Sequence, residues 1–270
     1  MPSAAGPRVH RVSVASIGCL GLFVAAILAI VAADLAYARP GAIVDALRSP
    51  ELGHAIRLSL ITSTCCLAVV VAFAIPVGYA LSRYRFPGSA VIDAIVDLPI
   101  VLPPVVVGVS LLIFFRTSVG RWIESIPGLQ FVYTVQGIVL CQFFLSVSYG
   151  IRTAKAAFDA ADPRLERLAL TLGCTPGRAF RMVALPLARG GLVAGAVLAW
   201  ARALGVFGPL IVFVGAVRMK TEVMPTTVYL ELSVGRIEPA LAVSLILLAI
   251  ALAALSFIHG FGPGRRRDAP

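Results

Sequence analysis

Arg202 is the charged residue whose position in this sequence most clearly suggests chemistry. It lies about 12 residues into a long apolar run, roughly 18 Å along a helix that rises ~1.5 Å per residue. An arginine at that depth in a membrane typically faces a bundle interior or a wet cavity, where its fixed charge suits an anion. Arg218 and Lys220 follow soon after. The alternative, in which Arg202 snorkels to the headgroups beside Trp200, fits the sequence equally well.

No motif of a soluble enzyme accompanies this arginine. The sequence lacks the phosphate-cradling Gly-x-x-x-x-Gly-Lys-Ser/Thr loop, the Gly-x-Ser-x-Gly elbow and the His-Glu-x-x-His metal motif. Its histidines, His10, His54 and His259, are too scattered to predict a metal site or a triad. We therefore expect no catalytic residue, no metal ligand and no cofactor on this chain, and we expect its energy source to reside on another chain.

An arginine-rich segment, residues 159–187, interrupts the apolar sequence. Asp-Pro at 162–163 and Thr-Pro at 175–176 are helix-start signals, each a capping residue followed by proline in the first helical position. Gly173 between them is typical of a left-handed helix end. The first short helix has an apolar face, spaced i, i+3, i+4 and i+7, formed by Leu165, Leu168, Ala169 and Leu172. Its charged residues point elsewhere: Arg164, Glu166 and Arg167. The segment is predicted to be a helix–turn–helix that docks against a partner.

The composition predicts an integral membrane protein with an all-α fold and a single domain, residues 1–270. Of the 270 residues, 59% are apolar and 13% are charged, against roughly 25% charged in soluble domains. A spanning helix needs about 20 mostly apolar residues. Six runs qualify: 14–33, 58–81, 91–115, 133–150, 190–214 and 240–258. The first run exceeds the apolar core of a signal peptide and is interpreted as a retained helix.

The positions of lysine and arginine predict the orientation. If the N-terminus is cytoplasmic, the inner segments 1–13, 82–90, 151–189 and 259–270 hold fourteen of the 23 basic residues, and the outer segments hold eight. Cytoplasmic loops carry such an excess, so both termini and the arginine-rich segment are predicted to be cytoplasmic. The net charge of +10 then reflects topology and attraction to anionic lipid, and nucleic acid is not needed to explain it.

The third and fifth spans contain helix breakers, whereas the first and last spans are plain aliphatic helices with few of them. Proline removes a backbone donor, and a bilayer tolerates broken helices only where protein or a water-filled cavity covers the freed groups. Both spans are therefore predicted to line a pathway, with these residues: Pro103, Pro104, Arg202, Gly205, Gly208 and Pro209. Gly191 and Gly195 are interpreted as helix-packing glycines. Asp93 and Asp97 are interpreted as capping or interfacial residues.

The arginine-rich segment resembles the cytoplasmic loop of the membrane subunits of bacterial ABC importers. The loop pattern of that family is Glu-Ala-Ala, three residues, Gly, nine residues, Ile-x-Leu-Pro. Nine residues separate Gly173 from Val-Ala-Leu-Pro at 183–186, whereas Arg-Leu-Ala at 167–169 replaces Glu-Ala-Ala, with Glu166 one place early. The segment 201–209 resembles the Ala-Arg-Ala-Leu-Gly-Glu-Phe-Gly of the subfamily that imports molybdate, tungstate and sulfate, with Val206 in place of the glutamate.

This resemblance extends over nearly the whole chain and implies a type I ABC importer permease of about six spans in a bacterial or archaeal cell membrane. It implies a homodimer that works with two ATP-binding cassette subunits, which bind ATP and Mg, and with an extracytoplasmic solute-binding protein. It also implies that the loop couples to the ATPase subunit through Leu165, Glu166, Arg167, Leu168, Ala169, Leu172, Gly173 and Pro176. The implied substrate is an oxyanion, molybdate or tungstate first, with sulfate or another small anion as the alternative.

Two other classes of protein were weighed against this interpretation. An ion-coupled secondary transporter or a channel would show inverted repeats and buried acidic coupling sites, and neither is evident in the sequence. A polytopic membrane enzyme would need catalytic groups clustered near one face, and the sequence offers none. The expectation is therefore a transporter subunit and not an enzyme.

Overall fold

The computed structural model describes residues 7–37, 40–84 and 87–261, and within these ranges every regular element is a helix. Residues 38–39 and 85–86 and both ends of the chain lie outside the described residues, and with them Arg39, Arg85 and Arg265 to Arg267 from the predicted charge distribution. The helices run in this order: α1 Pro7–Tyr37, α2 Pro40–Arg48, α3 Pro50–Arg83, α4 Ser89–Val101, α5 Pro104–Arg116, α6 Ser118–Glu124, α7 Val135–Asp159, α8 Pro163–Thr171, α9 Pro176–Ala179, α10 Leu185–Leu204, α11 Gly208–Phe213, α12 Met224–Ser233 and α13 Ile237–Phe261. A π turn, Phe180–Ala184, joins α9 to α10.

Five stretches of helix are long and apolar enough to cross a membrane: Ser16–Tyr37, Pro50–Arg83, Val135–Asp159, Pro176–Leu204 and Ile237–Ser256. A sixth candidate is the pair α4 and α5, which are bent by 109° at their junction. The prediction of about six spans in an all-helical chain is thus confirmed. The boundaries of four spans need correction. The second begins at Pro50 and not at 58, and the fourth ends at Asp159 and not at 150. The third is two helices at a steep angle, and the fifth begins at Pro176 and ends at Leu204.

The packed body is built around α7, which lies between α3 and α10. Small residues allow the α7–α10 contact, as predicted for Gly191 and Gly195. A β-carbon at Gly191 would lie 2.6 Å from the Cβ of Ala157, and one at Gly195 would lie 2.1 Å from Oγ1 of Thr153. The two helices therefore lie closer together than they could if a larger residue replaced either glycine.

The α3–α7 contact combines a similar close approach with a buried polar pair. A β-carbon at Gly78 would lie 2.7 Å from the Cβ of Ala154. Further along the same contact, the Gln142 side-chain amide donates to Oγ1 of Thr62 at 3.2 Å, with both residues buried. This bond satisfies the amide nitrogen of Gln142, whereas its buried amide oxygen has no hydrogen-bond partner among the described residues. In contrast, most described side chains of α1 are exposed, and this helix packs chiefly against α13.

Candidate functional site: a docking hairpin and a junction of two broken spans

A helical hairpin, residues 162–184, projects from the end of the bundle where α3 and α7 finish. As predicted, Asp162 caps its first helix, with a side-chain oxygen that accepts from the backbone N–H two residues on at 2.8 Å. Gly173 then adopts a φ of +86°, in the left-handed region that favours glycine. The second helix begins at Pro176, although the Thr175 side chain makes no capping hydrogen bond. We call this segment the docking hairpin.

The apolar face predicted for α8 is exposed in this chain. Leu165 is 44% exposed, Leu168 57% and Leu172 85%, although all three are aliphatic. Glu166 lies on a different side of the helix, is 7% exposed, and accepts hydrogen bonds from Tyr79 and Arg83 of α3. On α8, therefore, Glu166 faces the bundle, and the three leucines face away from it.

The breaks in the third and fifth spans meet in space. Pro103 precedes α5, and Gly208 begins α11, which packs along α5. A β-carbon at Gly208 would lie 3.2 Å from the Cβ of Pro104, and one at Gly108 would lie 2.7 Å from the Cα of Pro209. Four of the six predicted pathway residues, Pro103, Pro104, Gly208 and Pro209, therefore lie at one place, which we call the break junction. The sequence prediction missed Gly108, which stands inside an apolar helix with no turn signal around it.

Val206 and Gly205 connect α10 to the break junction in different ways. Val206 is 1% exposed and packs in a cluster that includes Leu111, Leu210 and Phe213. A glutamate at this position, as the resemblance would have it, would place a carboxylate among apolar side chains without a partner. Gly205 is exposed, and the nearest atom to a β-carbon there would be 3.8 Å away, so no close contact requires glycine at this position.

Arg202 lies in the last turn of α10, within one turn of the break. Its guanidinium carbon is 5.8 Å from the ring centroid of Tyr149, which lies near the middle of α7. This is the distance of a cation–π contact. Its neighbour Trp200 points instead to α3, where the indole N–H donates to Oγ1 of Thr64 at 3.4 Å. Among the described residues, Arg202 makes no ion pair with a carboxylate, so its charge is balanced only by the face of an aromatic ring.

The helix α4 is held by ion pairs that the sequence interpretation did not foresee. None of its residues is buried. Its two carboxylates bind α7: Arg152 donates to Asp97 at 2.5 Å and to Asp93 at 3.1 Å, and Lys155 lies 3.6 Å from Asp93. Asp93 and Asp97 were interpreted as capping or interfacial residues. Their i, i+4 spacing on one helix face was the available signal for a shared basic partner.

At the opposite end of the bundle, Arg218 does not remain a free cation. Its guanidinium lies 2.5 Å from Oε1 of Glu231, and Arg236 lies 3.7 Å from the other carboxylate oxygen. Glu222 is 1% exposed beside this pair, in the wall of a cavity of about 410 Å³. Burial raises the pKa of Glu222, against the opposing effects of the Thr227 hydroxyl and of Arg218. In this structure the charge of Arg218 is therefore engaged by Glu231.

The chain was compared with protein families, with curated proteins and with solved structures. The family described as binding-protein-dependent transport system inner membrane component matches residues 71–267. A molybdate/tungstate transport system permease protein of Thermococcus kodakarensis is 36% identical over 170 residues, which are 63% of this chain and 64% of that protein, just under two thirds of its length. A molybdenum transport system permease protein of Escherichia coli is 36% identical over 214 residues, 78% of this chain and 93% of that protein.

A sulfate transport system permease protein of Escherichia coli is 31% identical over 217 residues, 80% of this chain and 78% of that protein. Among solved structures, the bacterial alginate ABC transporter crystallised with its alginate pentasaccharide-bound periplasmic protein superposes with a TM-score of 0.72. The match covers 93% of this chain and 92% of that chain at 18% identity. At that identity the likeness shows the fold.

Proposed function

This chain belongs to the family of binding-protein-dependent transport system inner membrane components, and from that premise we propose that it forms the membrane pathway for an oxyanion, molybdate or tungstate. It is a permease subunit of an ABC importer in the cell membrane and not an enzyme, and ATP hydrolysis belongs to a separate subunit. The observation that carries the substrate class is Arg202, whose guanidinium has no carboxylate partner among the described residues and lies beside the junction of two broken helices. An unneutralised cation in the last turn of a span, beside a helix break, attracts anions.

The break junction supports a role in changing accessibility. Both helix breaks are backbone interruptions that a bilayer tolerates only inside protein or beside a cavity. Because Gly108 and Pro209 are in direct contact, a shift of one broken span moves the other. The pathway residues are accordingly Pro103, Pro104, Arg202, Gly205, Gly208 and Pro209.

The docking hairpin supports coupling to an ATP-binding cassette subunit, which carries ATP and Mg. Its exposed apolar side chains form a patch of the kind that marks a protein–protein contact. The residues that carry this coupling are Leu165, Glu166, Arg167, Leu168, Ala169, Leu172, Gly173 and Pro176. On this proposal the hairpin and both termini face the cytoplasm, a homodimer surrounds the pathway, and an extracytoplasmic solute-binding protein delivers the ion at the other end.

Molybdate or tungstate is favoured over sulfate by similarity. The two relatives named for molybdate, tungstate or molybdenum transport are 36% identical to this chain, against 31% for the sulfate permease. An ion-coupled secondary transporter or channel is the alternative from another class. It would transport without an ATPase subunit, so one reconstitution separates the two classes.

The test is uptake into proteoliposomes that contain this chain, its cognate ATPase subunit and its binding protein. Molybdate, tungstate and sulfate are offered separately, with and without ATP, and the internal metal or sulfate is measured. We expect ATP-dependent uptake of molybdate and tungstate and none from liposomes that contain this chain alone. Uptake that proceeds without the ATPase subunit would contradict the assignment, and uptake of sulfate alone would replace the substrate.

A further inference from the structure

Glu166 is the one charged side chain of α8 that points into the bundle, and two residues of α3 hold it there. The Tyr79 hydroxyl donates to Oε2 of Glu166 at 2.8 Å. The Arg83 guanidinium donates to Oε1 through Nε at 2.8 Å, with Nη2 at 2.7 Å from the same oxygen. The two charged side chains are 12% and 9% exposed, for Arg83 and Glu166 respectively. Both carboxylate oxygens are thus satisfied by α3 alone.

The same two α3 residues also bind the segments on either side of α8. Nη2 of Arg83 donates to the carbonyl oxygen of Ala161, the residue before the cap of α8, at 3.0 Å. The Tyr79 ring stands edge-on to Phe158 at the end of α7, with centroids 5.3 Å apart, and to Phe180 beyond α9, at 4.7 Å. The last turn of α3 therefore contacts the hairpin at its entry, at its first helix and at its exit.

The charged part of this cluster determines how α8 is rotated. A buried ion pair is sensitive to the removal of one partner, because the other charge is then left without compensation in a poorly solvated place. Aromatic contacts tolerate sliding, whereas two short hydrogen bonds and an ion-pair contact to one carboxylate fix both distance and direction. With Glu166 fixed toward α3, Leu165, Leu168 and Leu172 remain exposed on their own side of α8.

We propose that Tyr79 and Arg83 are positioning residues that tie the docking hairpin to α3 through Glu166, so that displacement of the hairpin moves α3 as one piece with it. This inference rests on the proposed function, since it describes how movement of the ATPase subunit reaches the membrane part. Glu166 then acts in coupling without contact to the ATPase subunit. Coupling between distant sites needs such a mechanically connected element, and this cluster is the connection at the base of the hairpin.

The test compares variants of the complete complex for three quantities: the amount of ATPase subunit that co-purifies, the rate of ATP hydrolysis, and molybdate and sulfate uptake by proteoliposomes. We expect Glu166→Ala to co-purify with normal amounts of the ATPase subunit and to hydrolyse ATP, while ions transported per ATP fall at least about fivefold. The charge-reversed pair Arg83→Glu with Glu166→Arg is expected to recover most of that ratio. Arg121→Gln, which removes an exposed arginine from α6 at the other end of the bundle, is the matched control.

Three results would overturn the inference. Glu166→Ala with a normal transport-to-hydrolysis ratio would show that the tie is not needed, and loss of the ATPase subunit from Glu166→Ala would show direct contact instead. If Glu166→Ala fails to accumulate, the charge-reversed pair must accumulate and transport, and its failure counts against the inference. Failure of the proposed function is separate, because the wild-type complex would then show no ATP-dependent uptake of either ion.

Discussion

Gly108 on α5 faces the backbone of Pro209 on α11 so closely that a β-carbon would lie 2.7 Å from the Cα of that proline. Gly108→Ala is therefore expected to separate the two broken spans, at a cost of about 1–3 kcal/mol for an overpacked contact. Thermal unfolding of the purified complex and ion uptake should both decrease. The control is Gly53→Ala on α3, where no atom lies within 4 Å of the added carbon. An unchanged melting temperature and uptake in Gly108→Ala would contradict the close contact.

Removal of the Arg202 charge is expected to abolish anion uptake while assembly stays intact. Arg202→Ala leaves an uncharged site beside the break junction, whereas Arg202→Lys keeps the charge and should retain part of the transport. Tyr149→Leu removes only the ring, a contact worth about 0.5–2 kcal/mol, and should have a smaller effect. Uptake at wild-type rates in Arg202→Ala would reduce this arginine to a headgroup anchor.

Gly173 has a left-handed φ of +86°, so a β-branched residue at this position should strain the turn of the docking hairpin. Gly173→Val should cost about 1–2 kcal/mol through backbone strain and lower the amount of ATPase subunit that co-purifies, while Gly173→Asn should be milder. Gly177→Val adds the same bulk to the hairpin, at a glycine with no atom within 4 Å and without a left-handed φ. Equal losses in both valine variants would indicate that bulk, and not the turn, is responsible.

The attachment of α4 to α7 depends on Arg152. Because no residue of α4 is buried, Arg152→Gln should weaken the attachment of α4 to α7. Each partly exposed ion pair that is removed should cost roughly 1 kcal/mol of that attachment free energy. Amide hydrogen exchange of peptides from Ser89–Val101 should then accelerate by about fivefold, with little change in α7. Arg116→Gln, an exposed arginine at the end of α5, serves as the comparison. Unchanged protection of α4 would mean that apolar contacts hold it instead.

Glu222 predicts a pH dependence of stability. Burial raises its pKa above the ordinary value of 4.5, so the folded chain favours the protonated carboxyl. The stabilisation is complete below the ordinary pKa and is lost as the pH rises through the raised pKa of the folded state. Glu222→Gln should therefore raise the melting temperature near pH 7–8, with a gain that shrinks toward pH 4. A gain that is constant with pH would contradict this assignment.

The sequence predicted those features that local signals specify. The cap at Asp162, the turn at Gly173 and the apolar runs all depend on neighbouring residues, and the structure places them as expected. The second hairpin helix also begins where predicted, although the Thr175 side chain makes no capping hydrogen bond. The helix ends were less accurate, since the fifth span stops at Leu204. No sequence signal predicts the 109° bend between α4 and α5, because one proline pair is compatible with many angles.

Long-range partners were the other limit of the sequence prediction. The pair between Arg152 and Asp93 joins residues 59 positions apart, and that between Arg83 and Glu166 joins residues 83 positions apart. Each side chain taken alone is an ordinary charge near the end of an apolar run. Only the packing of α4 against α7 and the return of α8 to the end of α3 bring the opposite charges together, and these contacts are a property of the whole fold.

The glycines that let α3 and α10 approach α7 have a consequence for how this chain tolerates sequence drift. Where Gly78, Gly191 and Gly195 touch a neighbouring helix, even one added methyl group meets an atom less than 3 Å away. Most described side chains of α1 are exposed in this chain, so these positions should tolerate exchange among aliphatic residues. Descendants of this gene should therefore vary in sequence at the exposed positions of α1, whereas the three glycines that face α7 should remain glycine.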